Sequence, residues 1–86
     1  MSALDRTDLE AWLSGALHRV LRLPDPPAPS ATLVADLGLT SLAAVTLQYR
    51  LRAELGLKVG FEALMTDRSI AALSDSLLET SVHGGP

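Results

Sequence analysis

Ser41 lies where a run of apolar residues leads into a predicted helix, in the stretch DLGLTSLAAVTLQYRL from Asp36 to Leu51. A serine hydroxyl can act as a nucleophile when a general base lies beside it. The sequence GLTSL lacks the second glycine of a nucleophile elbow. The only histidines are His18, in the first predicted helix, and His83, near the end of the chain. The residues therefore do not favour a catalytic triad, and we expect no catalytic residue in this chain.

The hydroxyl of Ser41 also has a purely structural use. Ser, Thr, Asp and Asn are the preferred N-cap residues, because their side-chain oxygens accept a backbone N–H of the first helical turn. Either Thr40 or Ser41 could fill this position. Taken alone, these two residues indicate an ordinary helix N-cap.

Composition limits the fold to one small domain. The chain has 86 residues, 48% of them hydrophobic but only 3% aromatic, so Leu, Val and Ala must build the core. We place the domain at residues 1–80 and a flexible tail at 81–86. The absence of cysteine removes disulfides, thiolate zinc sites and cysteine nucleophiles together. No metal site is expected.

Charge and hydropathy exclude two classes of partner. A net charge of -3, with a single lysine, argues against a nucleic-acid footprint, which needs clustered Lys and Arg. No apolar run approaches the roughly 20 residues of a membrane span, and the first residues do not resemble a signal peptide. We therefore expect a cytoplasmic protein that binds neither nucleic acid nor membrane.

Apolar residues at helical spacing predict the first helix over residues 7–23. Thr7 and Glu10 have the separation of a capping box, and Pro24 follows the helix. The next stretch contains four of the five prolines and predicts a long loop rather than a helix. Four apolar residues are expected to anchor this loop to the core: Leu33, Val34, Leu37 and Leu39.

Three further helices are predicted after the loop. One covers residues 41–55 and ends before Gly56, a suitable C-cap residue. A short one is predicted at FEALM, residues 61–65. The last covers residues 69–79, with Asp67 or Ser69 available as its N-cap.

The helix that begins at Ser41 carries two apolar stripes instead of one. At about 100° per residue, four residues form the stripe expected to face the core, namely Ala44, Leu47, Leu51 and Leu55. A second stripe, Leu42, Val45 and Tyr49, lies on a separate side, next to the direction of Ser41. Either the short helix or the loop covers this stripe, or it stays exposed as a docking surface.

The stretch around Ser41 resembles the phosphopantetheine-attachment motif of acyl carrier proteins, above all the carrier domains of modular polyketide synthases. That motif has Leu-Gly, a variable apolar residue, Asp and the modified Ser, followed by Leu, Val and Leu at helical spacing. The resemblance extends through LGLKV and SIAAL, from about residue 12 to residue 78. It implies an all-α four-helix bundle of the acyl-carrier type, with three main helices, one short helix and a long loop between the first two. The matching residues are Leu37, Gly38, Leu39, Ser41, Leu42, Val45, Leu47 and Leu51.

The resemblance implies that Ser41 is the attachment point of a covalent 4′-phosphopantetheine arm, with Asp36, Leu37, Gly38 and Thr40 as supporting motif residues. A phosphopantetheinyl transferase would supply the arm from coenzyme A. The arm's thiol would then hold acyl intermediates as thioesters for an acyltransferase, a ketosynthase or other synthase enzymes. The protein would act as a monomeric, non-catalytic carrier in polyketide-type natural-product biosynthesis.

Departures from the family pattern bear on the partners. Thr40 stands where Asp usually precedes the serine, and Thr46 is also uncharged where relatives often have Glu. We therefore expect docking mainly through Leu42, Val45 and Tyr49, with Met65 as a rim contact. Two alternatives stay open: a peptidyl carrier domain, whose pattern usually has a second glycine followed by His or Asp before the serine, and an unmodified helical interaction module.

Overall fold

The structure, a computed structural model, describes residues 5–83, and the surroundings of side chains from Asp5 to Glu79. Four α-helices form the fold: α1 Arg6–Val20, α2 Ser41–Arg50, α3 Phe61–Leu64 and α4 Ile70–His83. A 3₁₀ turn covers Val34–Leu37, and α2 continues directly into a π-helical segment at Leu51–Leu55. The described residues contain no β-strand beyond an isolated bridge between Leu33 and Ser69. The predicted all-α fold with a short third helix is confirmed.

Helix α1 begins earlier than the capping-box pattern suggested. Asp5 is the N-cap, and its carboxylate accepts the backbone N–H of Asp8 at 2.8 Å. Thr7 lies inside the helix, and the Glu10 carboxylate instead pairs with the Arg6 guanidinium at 2.7 Å. The predicted capping box of Thr7 and Glu10 is wrong, because an aspartate two residues before Thr7 accepts a backbone N–H of the first helical turn.

Helix α1 also ends before the expected proline. The N–H of Leu23 donates to the carbonyl of His18 at 3.0 Å, and the N–H of Arg22 donates to Arg19 at 3.3 Å. These two bonds form a Schellman motif, whose turning residue is usually glycine. Here that residue is Arg22, with φ of 54°, the only non-glycine residue with positive φ in the part of the chain described. The chain therefore turns at Arg22 with some backbone strain.

The long loop is fastened to both α1 and α4. The buried hydroxyl of Ser14 on α1 donates to the carbonyl of Pro27, itself buried. At the other end, Ile70 and Ala71 donate their backbone N–H groups to the carbonyls of Thr32 at 3.2 Å and Pro29 at 2.9 Å. The loop backbone thus satisfies N–H groups that the first turn of α4 would otherwise leave unpaired.

Of the four predicted loop anchors, Val34 is fully buried, and Leu37 and Leu39 are half-buried against the core. Leu33 is not an anchor, because its side chain is 42% exposed. Its backbone, rather than its side chain, contacts α4 through the bridge to Ser69. This backbone pairing with Ser69 fixes the direction of the chain at Leu33 and leaves the Leu33 side chain exposed to solvent.

The core forms where α1, α2 and α4 meet, and leucine is its main residue. On α2 and the π-helical segment, Ala44, Leu47 and Leu51 are buried and Leu55 is half-buried, as their spacing predicts. Ser74 is a fully buried polar side chain in this core, and its hydroxyl donates to the Ile70 carbonyl at 2.9 Å. Among the described residues no buried side-chain nitrogen or oxygen lacks a partner.

Helix α4 is capped by Ser69, one of the two predicted candidates, whose hydroxyl accepts the N–H of Ala72 at 3.1 Å. The helix continues through His83, beyond the boundary after Thr80 where the sequence suggested a tail. Residues 84–86 of that predicted tail lie outside the described residues. Within residues 5–83, none of the helices has the length and apolarity that crossing a membrane requires.

The separation of the two stripes predicts different responses to truncation. Leu47→Ala and Leu51→Ala should each lower the free energy of unfolding by about 2–5 kcal/mol, because each leaves a cavity in the core. Leu42→Ala, at a side chain 77% exposed, should change it by less than about 0.5 kcal/mol. Chemical denaturation of the three variants measures this, and equal losses at all three positions would contradict the structure.

The strained turn at Arg22 predicts a stabilising substitution. Arg22→Gly should raise the free energy of unfolding by about 0.5–1 kcal/mol, since glycine relieves the left-handed strain but loses more chain entropy on folding. Arg22→Ala is the matched control, because it removes the same exposed side chain and keeps the strain. Thermal denaturation in which both variants behave alike would show that the backbone at Arg22 is unstrained.

Candidate functional site

The approach to Ser41 consists of two turns that follow the long loop. The 3₁₀ turn ends at Leu37, and Gly38 then adopts a left-handed conformation with φ of 70°. Glycine is suited to this position because a side chain would be strained there. Thr40 is extended, and Ser41 is the first residue of α2. The reversal of the backbone at Gly38 therefore determines the position of Ser41.

Thr40, and not Ser41, caps α2. The Thr40 hydroxyl accepts the N–H of Ala43 at 3.1 Å, and its carbonyl accepts the N–H of Ala44 at 2.9 Å. Ser41 is exposed, and its hydroxyl makes no hydrogen bond to any other residue that the structure describes. Thr40 therefore performs the capping role that the sequence also allowed for Ser41, and the Ser41 hydroxyl is free to react.

The first turn of α2 offers a favourable setting for a negatively charged group on Ser41. The N–H groups of Ser41 and Leu42 have no partner among residues 5–79, and they lie at the positive end of the helix dipole. No acidic residue lies in this turn. A phosphate ester on the Ser41 hydroxyl fits these residues, because free N–H groups and the dipole both favour an anion.

The supporting motif residues occupy three different settings. Asp36 is exposed on the 3₁₀ turn, where its N–H donates to the Leu33 carbonyl at 3.0 Å. Leu37 packs against the core, and Gly38 makes the turn. Thr40 supplies the cap. Asp36 therefore keeps an exposed carboxylate on the approach to Ser41, while the other three residues shape the backbone.

The second stripe of α2 is uncovered. Leu42 is 77% exposed, Val45 51% and Tyr49 72%. Neither α3 nor the loop lies over these side chains, so the alternative in which they complete the core is wrong. We call these three residues the docking stripe; they form an apolar surface that begins at the residue after Ser41.

Met65 is also exposed, but it belongs to a separate groove. It lines an apolar groove of about 230 Å³ together with Gly38 and Leu39, the residues just before the serine. The structure therefore places Met65 beside the approach to Ser41, at a different position from the docking stripe.

The opposite flank of α2 carries a bonded acidic residue. Arg50 donates to Glu54 Oε2 at 2.9 Å, and the Trp12 indole N–H donates to Glu54 Oε1 at 3.2 Å. The hydrogen bond from Arg50 has the largest effect and lowers the pKa of Glu54 below its ordinary value; burial opposes this effect, and the bond from Trp12 lowers the pKa by a smaller amount. Glu54 is thus held ionised and joins α1 to the end of α2.

Two features of the site were missed from the sequence. Gln48 donates its side-chain amide to the Val59 carbonyl at 2.8 Å and so fastens the segment between α2 and α3 beside the docking stripe. Arg22 lies near Leu42 across a groove between the end of α1 and α2. The sequence contains no signal for either contact, because both depend on how the loops fold back onto α2.

The described residues contain no recognisable catalytic or metal-binding arrangement. His18 is half-buried on α1, and no group of three His, Cys, Asp or Glu side chains in that part of the chain could hold a metal ion. What the site offers is a single free hydroxyl at a helix N-terminus, beside an exposed apolar stripe.

Comparison with known proteins assigns the chain to a family. No curated protein and no solved structure matches the chain. The family model described as a phosphopantetheine attachment site matches residues 11–77, which is most of the chain. Proteins of this kind are carriers that serve synthase enzymes and receive their arm from a phosphopantetheinyl transferase. The chain belongs to the family of phosphopantetheine-attachment domains, carrier proteins that bear covalently attached 4′-phosphopantetheine.

Proposed function

We propose that this chain is an acyl carrier that holds intermediates as thioesters on a 4′-phosphopantetheine arm attached to Ser41. The observation that supports Ser41 as the site is its exposed hydroxyl, free of hydrogen bonds within the described residues, at the first position of α2. Thr40 satisfies the N–H of Ala43, so modifying Ser41 does not remove the cap of α2. Residues 1–80 would form one carrier domain.

In the attachment reaction, the Ser41 oxygen attacks the β-phosphorus of coenzyme A. The serine phosphodiester forms, adenosine 3′,5′-bisphosphate leaves, and the serine proton passes to a base of the transferase. The free N–H groups of Ser41 and Leu42 would favour a negatively charged group at this helix N-terminus. This chain needs no general base for the step, which agrees with the absence of a nearby histidine on α2.

When bound, the arm supplies a thiol that a chain without cysteine does not have. The residues of the chain hold the attachment point and present a surface for partners. We therefore propose a non-catalytic role, in which the partner enzymes contribute the catalytic groups and the carrier delivers the acyl chain to each.

An acyl cargo of the polyketide type is supported by the residues before the serine. Leu39 stands where peptidyl carriers usually have a second glycine, whereas Thr40 departs from the residue expected in both kinds of carrier and does not separate them. Leu39 is half-buried against the core, so it helps to shape the approach to Ser41. We propose a monomeric cytoplasmic carrier with an acyltransferase, a ketosynthase or similar synthase enzymes as partners.

Loading by a promiscuous phosphopantetheinyl transferase tests the attachment site. With coenzyme A, the wild-type protein should gain the mass of one phosphopantetheine group, because its Ser41 hydroxyl is exposed and free. Ser41→Ala should gain none, whereas Ser30→Ala, a change at another exposed serine, should load normally. Intact-mass spectrometry gives the answer.

Two results would contradict the proposal. A folded wild-type protein that gains no mass would favour an unmodified interaction module. A mass gain that persists in Ser41→Ala would move the attachment to another residue.

Docking through the apolar stripe predicts how loading depends on surface residues. Leu42→Ala and Val45→Ala should each lower kcat/KM for the transferase by about fivefold to tenfold, since an apolar anchor at an interface contributes on the order of 1 kcal/mol or more. Leu33→Ala is the matched control, because Leu33 is also an exposed leucine but lies outside α2. The loading rate followed by mass spectrometry measures this.

Salt separates apolar docking from charge-driven docking. Raising the salt from about 50 mM to about 500 mM should change KM by no more than about tenfold, since exposed charges are screened and apolar contacts are not. A much larger rise in KM with salt would show that the stripe is not the main docking surface. An unchanged kcat/KM in Leu42→Ala and Val45→Ala would show the same.

A further inference from the structure

Three basic residues near the docking stripe have no acidic partner in the structure. Arg22, Arg52 and Lys58 are exposed, and none forms a salt bridge or side-chain hydrogen bond with residues 5–79, whose side chains the structure describes. The ion pairs in that region use Arg6 and Arg50 instead. Three unpaired cations around one surface are notable in a chain whose net charge is -3.

The three cations lie on both sides of the stripe. On a helix with 3.6 residues per turn, Thr46 and Ala43 lie to one side of the stripe, and Gln48 lies to the other. Arg52, in the π-helical segment, lines the same groove as Gln48. Arg22 lines a groove of about 370 Å³ with Leu42, on the side of Thr46.

On the second side, Arg52 and Lys58 line a groove of about 310 Å³ with Val45 and Tyr49. Neither groove is lined by Asp or Glu. The exposed acidic residues Asp36 and Glu62 lie outside both grooves. The apolar stripe is therefore bordered by positive charge on its two long sides.

The backbone at Arg22 adds an independent observation. A residue with φ of 54° in a Schellman turn would ordinarily be glycine, but this chain keeps an exposed arginine there. Its side chain makes no hydrogen bond or ion pair within the described residues that would offset the strain. Strain of this kind, retained at the edge of a binding surface, is typical of a functional position.

We propose that Arg22, Arg52 and Lys58 form a basic rim that selects partner enzymes whose docking surface has acidic residues around an apolar centre. This inference rests on the proposed carrier function, and it names the chemistry of the partners. Rim charges act mainly on the rate of encounter and on the choice of partner, whereas the apolar centre sets how long the complex lasts. The basic rim thus discriminates between partner enzymes, while the docking stripe provides most of the binding affinity.

Association kinetics with a matched pair of enzymes test the rim. The loaded carrier, confirmed by intact mass, is measured against a ketosynthase whose active-site entrance is bordered by Asp and Glu. The second enzyme is the same ketosynthase with those residues changed to Lys. The association rate constant should be at least about tenfold higher for the acidic form at low salt, and the difference should shrink as salt screens the charges.

Variants of the carrier assign the effect to the three residues. Neutralising them together, as Arg22→Gln, Arg52→Gln and Lys58→Gln, should slow association with the acidic form by about threefold to fivefold and leave the dissociation rate constant within about twofold. Arg68→Gln is the matched control, because Arg68 is exposed and outside both grooves. Val45→Ala should instead raise the dissociation rate constant.

Arg22→Gly separates docking from stability. We expect this variant to be more stable than the wild type and yet to associate more slowly with the acidic enzyme. A purely structural role for Arg22 predicts no slower association in a variant that is more stable.

The outcomes distinguish the rim from the carrier function. Failure of the wild type to load would overturn the carrier function and this inference with it. A loaded carrier that associates equally with both ketosynthase forms, including no association with either, would overturn the rim alone. A loaded carrier that sediments with phosphatidylserine vesicles but not with phosphatidylcholine vesicles, while treating both enzymes alike, would assign the cations to a membrane surface and overturn it too.

Discussion

Backbone hydrogen bonds between the long loop and the start of α4 hold the approach to Ser41 in place. Ile70 and Ala71 donate to loop carbonyls, and Val34 donates to the carbonyl of Arg68 at 2.9 Å. The buried side chain of Val34 sits at the start of the 3₁₀ turn that leads to Gly38. The turn that leads to the serine is therefore bonded to the start of α4, although it belongs to a long loop. Under the proposed attachment at Ser41, this anchoring would present the arm to each partner enzyme from one position.

Helix α2 carries both a core stripe and the docking stripe. Its core stripe lies under α1 and α4, and its docking stripe faces outward from the next residues along the same helix. Residues outside α2 form its caps: the Thr40 hydroxyl accepts the N–H of Ala43 at the start, and Gly56, with φ of 70°, ends the π-helical segment that follows. Neither the serine nor the docking stripe is therefore needed to stabilise the helix, which leaves both available to partners.

The sequence predicts best where spacing along one helix decides the outcome. The two stripes of α2 follow from helical periodicity, and the structure leaves Leu42, Val45 and Tyr49 exposed while burying Leu47 and Leu51. The choice of Thr40 over Ser41 as cap could not be made, because both side chains have the right chemistry and only the backbone geometry separates them. The cap of α1 was misplaced for a similar reason, since Asp5 and Thr7 both suit the position.

Features that depend on contacts between distant parts of the chain could not be predicted from the sequence. Arg22 adopts its left-handed conformation because the loop must turn back after α1, and no local pattern marks that turn. The exposure of Leu33 likewise follows from the pairing of its backbone with Ser69. Such contacts join residues far apart in sequence, where hydrophobic spacing carries little information.

The hydrogen bond from Gln48 to the Val59 carbonyl has a consequence for how this surface could change. It joins the segment that carries Lys58 to a residue of α2 at the edge of the docking stripe, so the two parts of the surface move together. The bond uses the backbone of Val59, and it therefore survives exchange of the exposed side chains around it. Partner preference could be rewritten by substitutions at a few outward positions, while the scaffold that presents the serine stays as it is.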